Sequence, residues 1–266
     1  MSAPVLLDFN EGVATLTLNR PEALNALSGG MMEALAAATG RLAGLPGLRV
    51  VVIKGAGKHF MAGGDLKDFA TRLPLSADSR RAEFRAMIEQ YINPSVLALQ
   101  SLPVPVVACV QGACAGFGLS LILGCDLVLA AADAYFTTAY SSIALSGDGG
   151  VSWFLPRLVG SRKAFELLLL AERFDAAEAL RLGLVNRVLP AAGLEEGLAA
   201  WVRRVQALPA GAVAEIKMLL AASPDQSLGS QLQREAEAFA RCAAGPDFAE
   251  GVQAFLGRRR AVFGQG

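Results

Sequence analysis

The chain has 266 residues, 53% of them hydrophobic, and its 24 Lys and Arg residues balance 24 Asp and Glu residues. This length and composition can bury a large core, in one domain with an appended element or in two domains. A formal net charge of zero argues against nucleic-acid binding, which depends on a basic surface. The apolar stretches all fall short of the roughly 20 residues that a membrane span requires. The high hydrophobic content therefore predicts a core together with a subunit interface.

The N-terminal residues and the cysteines predict the compartment. The start of the chain lacks a basic segment followed by an apolar core and a small-residue cleavage site, so we expect a cytoplasmic protein. The cysteines lie in apolar surroundings without C-x-x-C spacing, which favours buried, reduced thiols over a metal site or disulfides. We expect no metal ion. The cysteines are Cys109, Cys114, Cys125 and Cys242.

The first half of the chain alternates strand-like and helix-like segments. β-rich runs at residues 5–9 and 13–18, separated by a short turn, predict a hairpin. Ser28 is the predicted N-cap of a helix that ends near residue 43. Residues 82–102 have helical spacing, which Pro94 is expected to kink or split. Three further apolar runs predict buried strands of an α/β sheet, at residues 48–54, 104–110 and 127–131.

From residue 161 onward the pattern becomes a series of helices. Glycines and prolines punctuate this series where helices should begin or end. The predicted division is an α/β body at residues 1–195 and a helical C-terminal region at residues 196–266. The predicted helices are 161–171, 176–182, 194–208, 212–220, 228–241 and 247–263.

Three glycine-bearing turns follow strand-like runs, at residues 60–66, 111–118 and 147–150. Small residues let the backbone approach a ligand closely and leave N–H groups pointing into a cleft. Two such groups aimed at one oxygen form an oxyanion hole, which contributes about 3 kcal/mol per donor to a transition state. Glycine turns after strands also occur for purely steric reasons, so the turns alone leave both interpretations open.

Asp148 lies in the third glycine turn, between an apolar run and a helix-like segment. This placement makes it the leading catalytic candidate. The ordinary alternative is an N-cap, in which the carboxylate accepts backbone N–H groups of the following helix.

Several motifs together carry a resemblance to a known family. They are NRPEALNAL at residues 19–27, FMAGGDL at 60–66, QGACAGFG at 111–118, CD at 125–126 and LPRLVG at 155–160. Over nearly its whole length the chain resembles the enoyl-CoA hydratase/isomerase (crotonase) superfamily. The resemblance implies an α/β fold, a crotonase-like spiral of ββα units with a C-terminal helical trimerisation region. It also implies a homotrimer or a hexamer, and an acyl-CoA thioester as substrate, so that coenzyme A is part of the substrate and no cofactor is expected.

The same resemblance implies roles for individual residues. The backbone N–H groups of Gly64 and Phe117 are expected to bind the thioester oxygen. Around Phe255 and residues 258–260, the chain resembles the segment that reaches an adjoining coenzyme A site, although a solvated basic helix end explains these arginines equally well. Seven residues on two strips are expected to cradle coenzyme A: Ala23, Leu24, Ala26, Ala62, Gly63, Asp65 and Leu66.

The chain departs from the hydratases of the superfamily at two positions. Those enzymes add water with two glutamates, and Ser120 and Tyr140 stand at the corresponding positions here. Neither side chain is a carboxylate base at neutral pH. Asp148 falls where several isomerases and a dehalogenase of the superfamily carry a functional aspartate. We therefore predict a double-bond isomerase in which Asp148 is the general acid/base of a 1,3-proton shift.

Other interpretations stay open at this point. An enoyl-CoA hydratase and a non-catalytic acyl-CoA-binding protein are the alternatives to the isomerase. A dehalogenase is disfavoured because no histidine lies near residues 91–94, and His59 is placed in a loop or at the coenzyme A rim. Tyr140 is expected to line the acyl pocket, to donate a hydrogen bond or to act as a core aromatic, and Ser120 to serve in packing.

Overall fold

A computed structural model describes residues 3–264. Strands and helices alternate through the first two thirds of this range, and helices make up the remainder, as the sequence predicted. The strands are β1 Val5–Asn10, β2 Val13–Leu18, β3 Val50–Gly55, β4 Val106–Val110, β5 Ala113–Ala115, β6 Leu127–Ala131, β7 Tyr135–Thr137, β8 Phe174–Asp175 and β9 Arg187–Leu189.

The larger sheet has the strand order β1-β2-β3-β4-β6-β9. β1 and β2 form the predicted antiparallel hairpin, in which Asn10 pairs with Val13, and every other neighbouring pair is parallel. All five residues of β4 are buried. A parallel strand covered on both faces has a continuous apolar sequence, which is why the inner strands were recognisable.

The smaller sheet carries the first two glycine turns. β5 pairs with β7 in parallel, and β7 pairs with β8 antiparallel. Isolated bridges extend it, joining Met61 to Cys114 and Leu27 to Gly64. These strands have two or three residues each, too short to show a periodic pattern, and the sequence reading missed them.

The helices cover both faces of the body and then continue alone. Ser28 caps α1 as predicted, its side chain accepting from the N–H of Met31. A π-helical turn at Ile88–Ile92 separates α3 from α4, and Pro94 lies in the first turn of α4. The helices are α1 Gly29–Leu42, α2 Leu66–Ala70, α3 Ala77–Met87, α4 Asn93–Ser101, α5 Phe117–Leu123, α6 Val151–Val159, α7 Ser161–Leu170, α8 Ala176–Arg181, α9 Leu194–Gln206, α10 Ala210–Ala222, α11 Leu228–Ala244 and α12 Pro246–Leu256.

The C-terminal helices α9–α12 form the tail. The prediction of a helix to residue 263 was wrong, because α12 ends at Leu256 and Arg258 has a left-handed backbone with φ of 51°. Lys217 of α10 fastens the tail to the body, its Nζ lying 2.6 Å from an Asp126 oxygen and 3.0 Å from the Val104 carbonyl oxygen. The division into two units near residue 195 stays a prediction.

Three features of residues 3–264 bear on thiol chemistry, metal binding and membrane spanning. The four cysteines are free thiols; Cys109 and Cys114 are buried as predicted, whereas the prediction of burial was wrong for Cys125 and Cys242, which are half-buried. Burial raises the pKa of Cys109 to about 12. In this range no three His, Cys, Asp or Glu side chains cluster as metal ligands would. No single described helix is long and apolar enough to cross a membrane. One pair of helices with a bend between them, Ala191–Gln206 and Ala210–Asp225, has the required length and composition when taken together.

Candidate active site

Residues from all three glycine turns meet at one cavity of about 210 Å³. The three glycine turns contribute its polar end, and α1, α2 and the segment before α6 contribute apolar walls. It is lined by the three predicted catalytic residues and by the fourth candidate, Tyr140: these are Gly64, Phe117, Asp148 and Tyr140. The other lining residues are Leu27, Met32, Ala62, Gly63, Leu66, Phe69, Gly116, Ala139, Ser142, Ile143 and Leu145.

The first two glycine turns touch each other at the cavity wall. A Cβ atom on Gly116 would lie 3.2 Å from Cα of Gly63 and 3.9 Å from the backbone nitrogen of Gly64. Gly116 also has φ of 52° and ψ of −123°, a backbone conformation that side chains disfavour. Glycine at this position therefore brings the two turns together.

The backbone N–H groups of Gly64 and Phe117 have no acceptor within residues 3–264. The bridge beside Gly64 uses its neighbours, since the Leu27 N–H donates to the Gly63 carbonyl and the Asp65 N–H donates to the Leu27 carbonyl. Phe117 is the first residue of α5, where an N–H group has no partner inside the helix. Both groups are free to donate to a ligand oxygen, and the oxyanion-hole role stays a prediction.

Asp148 is held in place by the tightness of its own turn. A Cβ atom on Gly149 would lie 2.7 Å from the Phe117 ring and 3.1 Å from Cβ of Ser120. The N-cap of α6 is Gly150, and no side chain caps this helix. The interpretation of Asp148 as an N-cap is therefore wrong.

The Asp148 carboxylate ends a chain of three hydrogen-bonded side chains. The Tyr140 hydroxyl donates to Oδ1 of Asp148 at 2.6 Å, and the Ser120 hydroxyl lies 2.8 Å from the Tyr140 oxygen. Tyr140 is 7% exposed and Ser120 is fully buried. Ser120 is thus more than a packing residue, and nothing in its sequence context distinguished it from the other small residues of α5.

Burial has the largest effect on the pKa values of Asp148 and Tyr140. Burial raises the pKa of Asp148 above its usual range, and the hydrogen bond from Tyr140 partly opposes that rise. Burial, and then the negative charge of Asp148, raise the pKa of Tyr140, which therefore stays protonated. A carboxyl group with a raised pKa is suited to both accepting and returning a proton near neutral pH.

The two strips predicted to hold coenzyme A lie side by side. The Ala62 N–H donates to the Leu24 carbonyl at 3.1 Å, and the Leu27 N–H donates to the Gly63 carbonyl at 2.8 Å. Ala62, Gly63 and Leu66 line the cavity. Ala23 and Ala26 lie on the neighbouring strip and are half-buried. Contact of either strip with coenzyme A stays a prediction.

The charged and polar side chains around these strips support the backbone. Oδ1 of Asp65 accepts from the N–H groups of α2, and its Oδ2 lies 3.0 Å from Arg20. Burial raises the pKa of Asp65, but the hydrogen bonds from Arg20 and from the α2 backbone outweigh it and lower the pKa overall. Asn25, which sequence reasoning did not single out, is fully buried and donates to the carbonyls of Ala56 and His59.

Two remaining candidates lie outside the cavity lining. Nδ1 of His59 accepts from the Ala113 N–H at 3.0 Å, so this ring supports the second glycine turn. In the tail, Arg259 pairs with Glu250 at 2.6 Å, and Phe255 is 83% exposed. Contact of the tail arginines with an adjoining site stays a prediction.

Comparison with known proteins gives a consistent family. A profile of the enoyl-CoA hydratase/isomerase family matches residues 8–266. A probable enoyl-CoA hydratase from Rhodobacter capsulatus is 36% identical over 256 residues, 96% of each chain. The 1,2-epoxyphenylacetyl-CoA isomerase of Escherichia coli is 33% identical over 259 residues, 97% of each chain. The crystal structure of a "putative enoyl-CoA hydratase/isomerase" from Mycobacterium abscessus superposes with a TM-score of 0.92 at 36% identity, covering 98% of this chain and 99% of that one.

The chain belongs to the enoyl-CoA hydratase/isomerase family, whose members act on acyl-CoA thioesters. The crotonase-like α/β fold with a helical C-terminal region, predicted from the motifs, is confirmed. The protein is an enzyme of this family. Hydratase names dominate among the relatives, and the relative from Escherichia coli is named an isomerase, so the names alone leave the reaction open.

Proposed function

We propose that this protein is an acyl-CoA double-bond isomerase with Asp148 as its single general acid/base. One observation carries the proposal: Asp148 is the only carboxylate among the described residues that line a cavity where two backbone N–H groups are free. A 1,3-proton shift needs one base beside an oxyanion hole, whereas two-glutamate hydration needs a second carboxylate.

The reaction follows from these groups. The N–H groups of Gly64 and Phe117 bind the thioester oxygen of a 3-enoyl-CoA. Asp148 then takes a proton from C2, the C2–H electrons form the dienolate, and the negative charge develops on the bound oxygen. Hydrogen bonds that strengthen with this charge stabilise the transition state more than the substrate. Asp148 returns the proton to C4, which leaves the conjugated 2-enoyl product. No cofactor takes part, since coenzyme A belongs to the substrate.

The second candidate is hydration of a 2-enoyl-CoA. The names of most similar proteins favour it, including the relative from Rhodobacter capsulatus. Hydration here would have to activate water with Asp148 alone, because Ser120 and Tyr140 are neutral side chains. The isomerase has support from the similarity to the epoxyphenylacetyl-CoA isomerase.

The test supplies the purified protein separately with trans-3-enoyl-CoA and trans-2-enoyl-CoA and follows the absorbance of the conjugated thioester. The proposal predicts gain of conjugation from the first substrate and no loss from the second. Loss of conjugation from the second substrate would instead establish hydration. No change with either, over a series of acyl lengths, would contradict the proposed reaction.

The proposal also includes the oligomeric state and the cellular location of the protein. We place the protein in the cytoplasm as a homotrimer or a hexamer. Large apolar side chains that the tail exposes support an oligomer, since surfaces of this kind usually mark an interface. They include Leu228, Phe239, Phe255 and Leu256.

A further inference from the structure

The two carboxylate oxygens of Asp148 have different surroundings. Oδ1 accepts a hydrogen bond of 2.6 Å from the Tyr140 hydroxyl. Within the described residues, no side chain donates a hydrogen bond to Oδ2. The cavity contains no charged lysine, arginine or histidine among its described lining residues. Among the lining residues within 3–264, Asp148 and Tyr140 are therefore the only titratable side chains.

The direction of the hydrogen bonds follows from the number of protons. A phenol has one proton, and an ionised carboxylate only accepts, so the Tyr140 proton points at Asp148. The Ser120 hydroxyl must then donate to the Tyr140 oxygen at 2.8 Å, in preference to the Gly116 carbonyl oxygen at 3.4 Å. The chain of bonds runs from Ser120 through Tyr140 to Asp148.

Packing leaves this arrangement little freedom. A Cβ atom on Gly147 would lie 3.5 Å from the Tyr140 ring, and one on Gly149 would lie 3.1 Å from Cβ of Ser120. Ser120 is fully buried in α5. The turn of the base and the two hydroxyl groups therefore pack directly against each other.

We propose that Tyr140, held by Ser120, is a positioning residue that occupies Oδ1 of Asp148 and leaves Oδ2 as the oxygen that exchanges protons with the substrate. The inference rests on the proposed function. In the forward reaction the C2–H bond breaks and an Oδ2–H bond forms, after which Oδ2–H breaks and C4–H forms. The Tyr140 proton stays on its own oxygen throughout, so atoms and charge balance within Asp148 and the substrate.

The test compares Tyr140→Phe and Ser120→Ala with the wild type in two measurements. The first is the pKa of the Asp148 carboxyl, followed by carbon NMR of labelled aspartate and assigned with Asp148→Asn. Removing the Tyr140 donor should raise this pKa by about one unit or more, since hydrogen bonds to charged groups are strong. Ser120→Ala should shift it in the same direction by less, because it only weakens Tyr140 as a donor.

The second measurement is the pH dependence of isomerisation. With Tyr140→Phe, kcat should fall about tenfold with KM changed less than about twofold, and the acidic limb should move to higher pH with the carboxyl pKa. Ser95→Ala is the matched control, since Ser95 is also fully buried and donates to the Tyr91 carbonyl, outside the cavity lining. It should lower stability without moving the limb.

The outcomes separate this inference from the proposed function. An unchanged Asp148 pKa in folded Tyr140→Phe protein would overturn the positioning role, even if Asp148→Asn abolishes turnover. Full turnover in Asp148→Asn would overturn the proposed base itself. If Tyr140→Phe fails to fold, Ser120→Ala carries the test, and equal pKa values in Ser120→Ala and wild type would contradict the chain of bonds.

Discussion

Helix α5 of the body and the last three helices of the tail differ in how many of their residues they bury. All seven residues of α5 are buried. By contrast α10 buries none of its residues, and α11 and α12 bury only Ala238 and Ala254. The tail also exposes Phe255 at 83%.

This difference indicates that the body and the tail have different roles in the protein. The body sets the geometry of the cavity through close contacts that tolerate no added atoms, as at Gly116 and Gly149. Within the tail, α9 packs Leu194, Leu198 and Val205 against the large sheet, whereas α10 reaches the body through polar contacts that include Lys217 to Asp126. Substitutions in the body should therefore change chemistry and stability together, and those in the tail should change stability alone or assembly.

The largest expected effect is on turnover, in the body. Asp148→Asn keeps the shape of the side chain and an acceptor for Tyr140 but removes the base. Isomerisation should fall about 1,000-fold with thioester affinity retained, within the range that general bases contribute. Steady-state kinetics with a 3-enoyl-CoA, alongside binding of the same thioester, measure both. A loss of affinity that accounts for the whole effect would contradict the role of Asp148 as base.

Glycine substitutions should sharpen the contrast in stability. Gly149→Ala places Cβ 2.7 Å from the Phe117 ring at φ of 60°, and should cost about 2 to 4 kcal/mol in the free energy of unfolding. Gly251→Ala in α12 meets only ordinary contacts, the nearest 3.6 Å away, and should stabilise by about 0.5 to 1 kcal/mol. Urea denaturation measures the free energy of unfolding of both variants. Equal changes in the two variants would contradict the difference between body and tail.

The attachment of the tail rests on a contact that can be removed. Lys217→Met leaves Asp126 with only the Val106 N–H as donor, and should cost about 2 kcal/mol because the lysine is largely buried. Hydrogen exchange should rise in α10 before it rises in α5. Lys163→Met is the control, since it breaks an exposed pair with Glu166 and should change stability by less than about 1 kcal/mol. Faster exchange in α5 first would contradict the division of tasks.

The smallest effect should be a gain in stability at the site. The folded-state pKa of Asp148 is raised, chiefly by burial, so the ionised group destabilises the fold once the pH exceeds the ordinary pKa of the residue. Asp148→Asn removes that cost and should have a higher Tm than the wild type at neutral pH. The difference should vanish below about pH 4, where both states of the wild type are protonated. A lower Tm at neutral pH would contradict an unfavourable burial of this charge.

The sequence predicted the parts of the molecule that rest on local signals. The hairpin, the Ser28 cap and the apolar inner strands follow from patterns that neighbouring residues show. The resemblance identified Asp148, Gly64 and Phe117, which the fold brings to one cavity.

The parts that the sequence left out depend on contacts between distant residues. Ser120 and Tyr140 are 20 positions apart, and only the folded chain shows that they form one chain of hydrogen bonds with Asp148. Asn25 joins residues more than 30 positions away through two carbonyls. The strands β5, β7 and β8 are too short for a local pattern and exist through their pairing.

The central claim, one base that moves one proton, is tested most directly with a trans-3-enoyl-CoA that carries deuterium at C2. A single turnover in ordinary water should place part of that deuterium at C4 of the 2-enoyl product, because Asp148 returns the atom it removed. Product that carries only solvent hydrogen at C4 would show that the atom returned to C4 is not the one removed from C2, and would contradict the account.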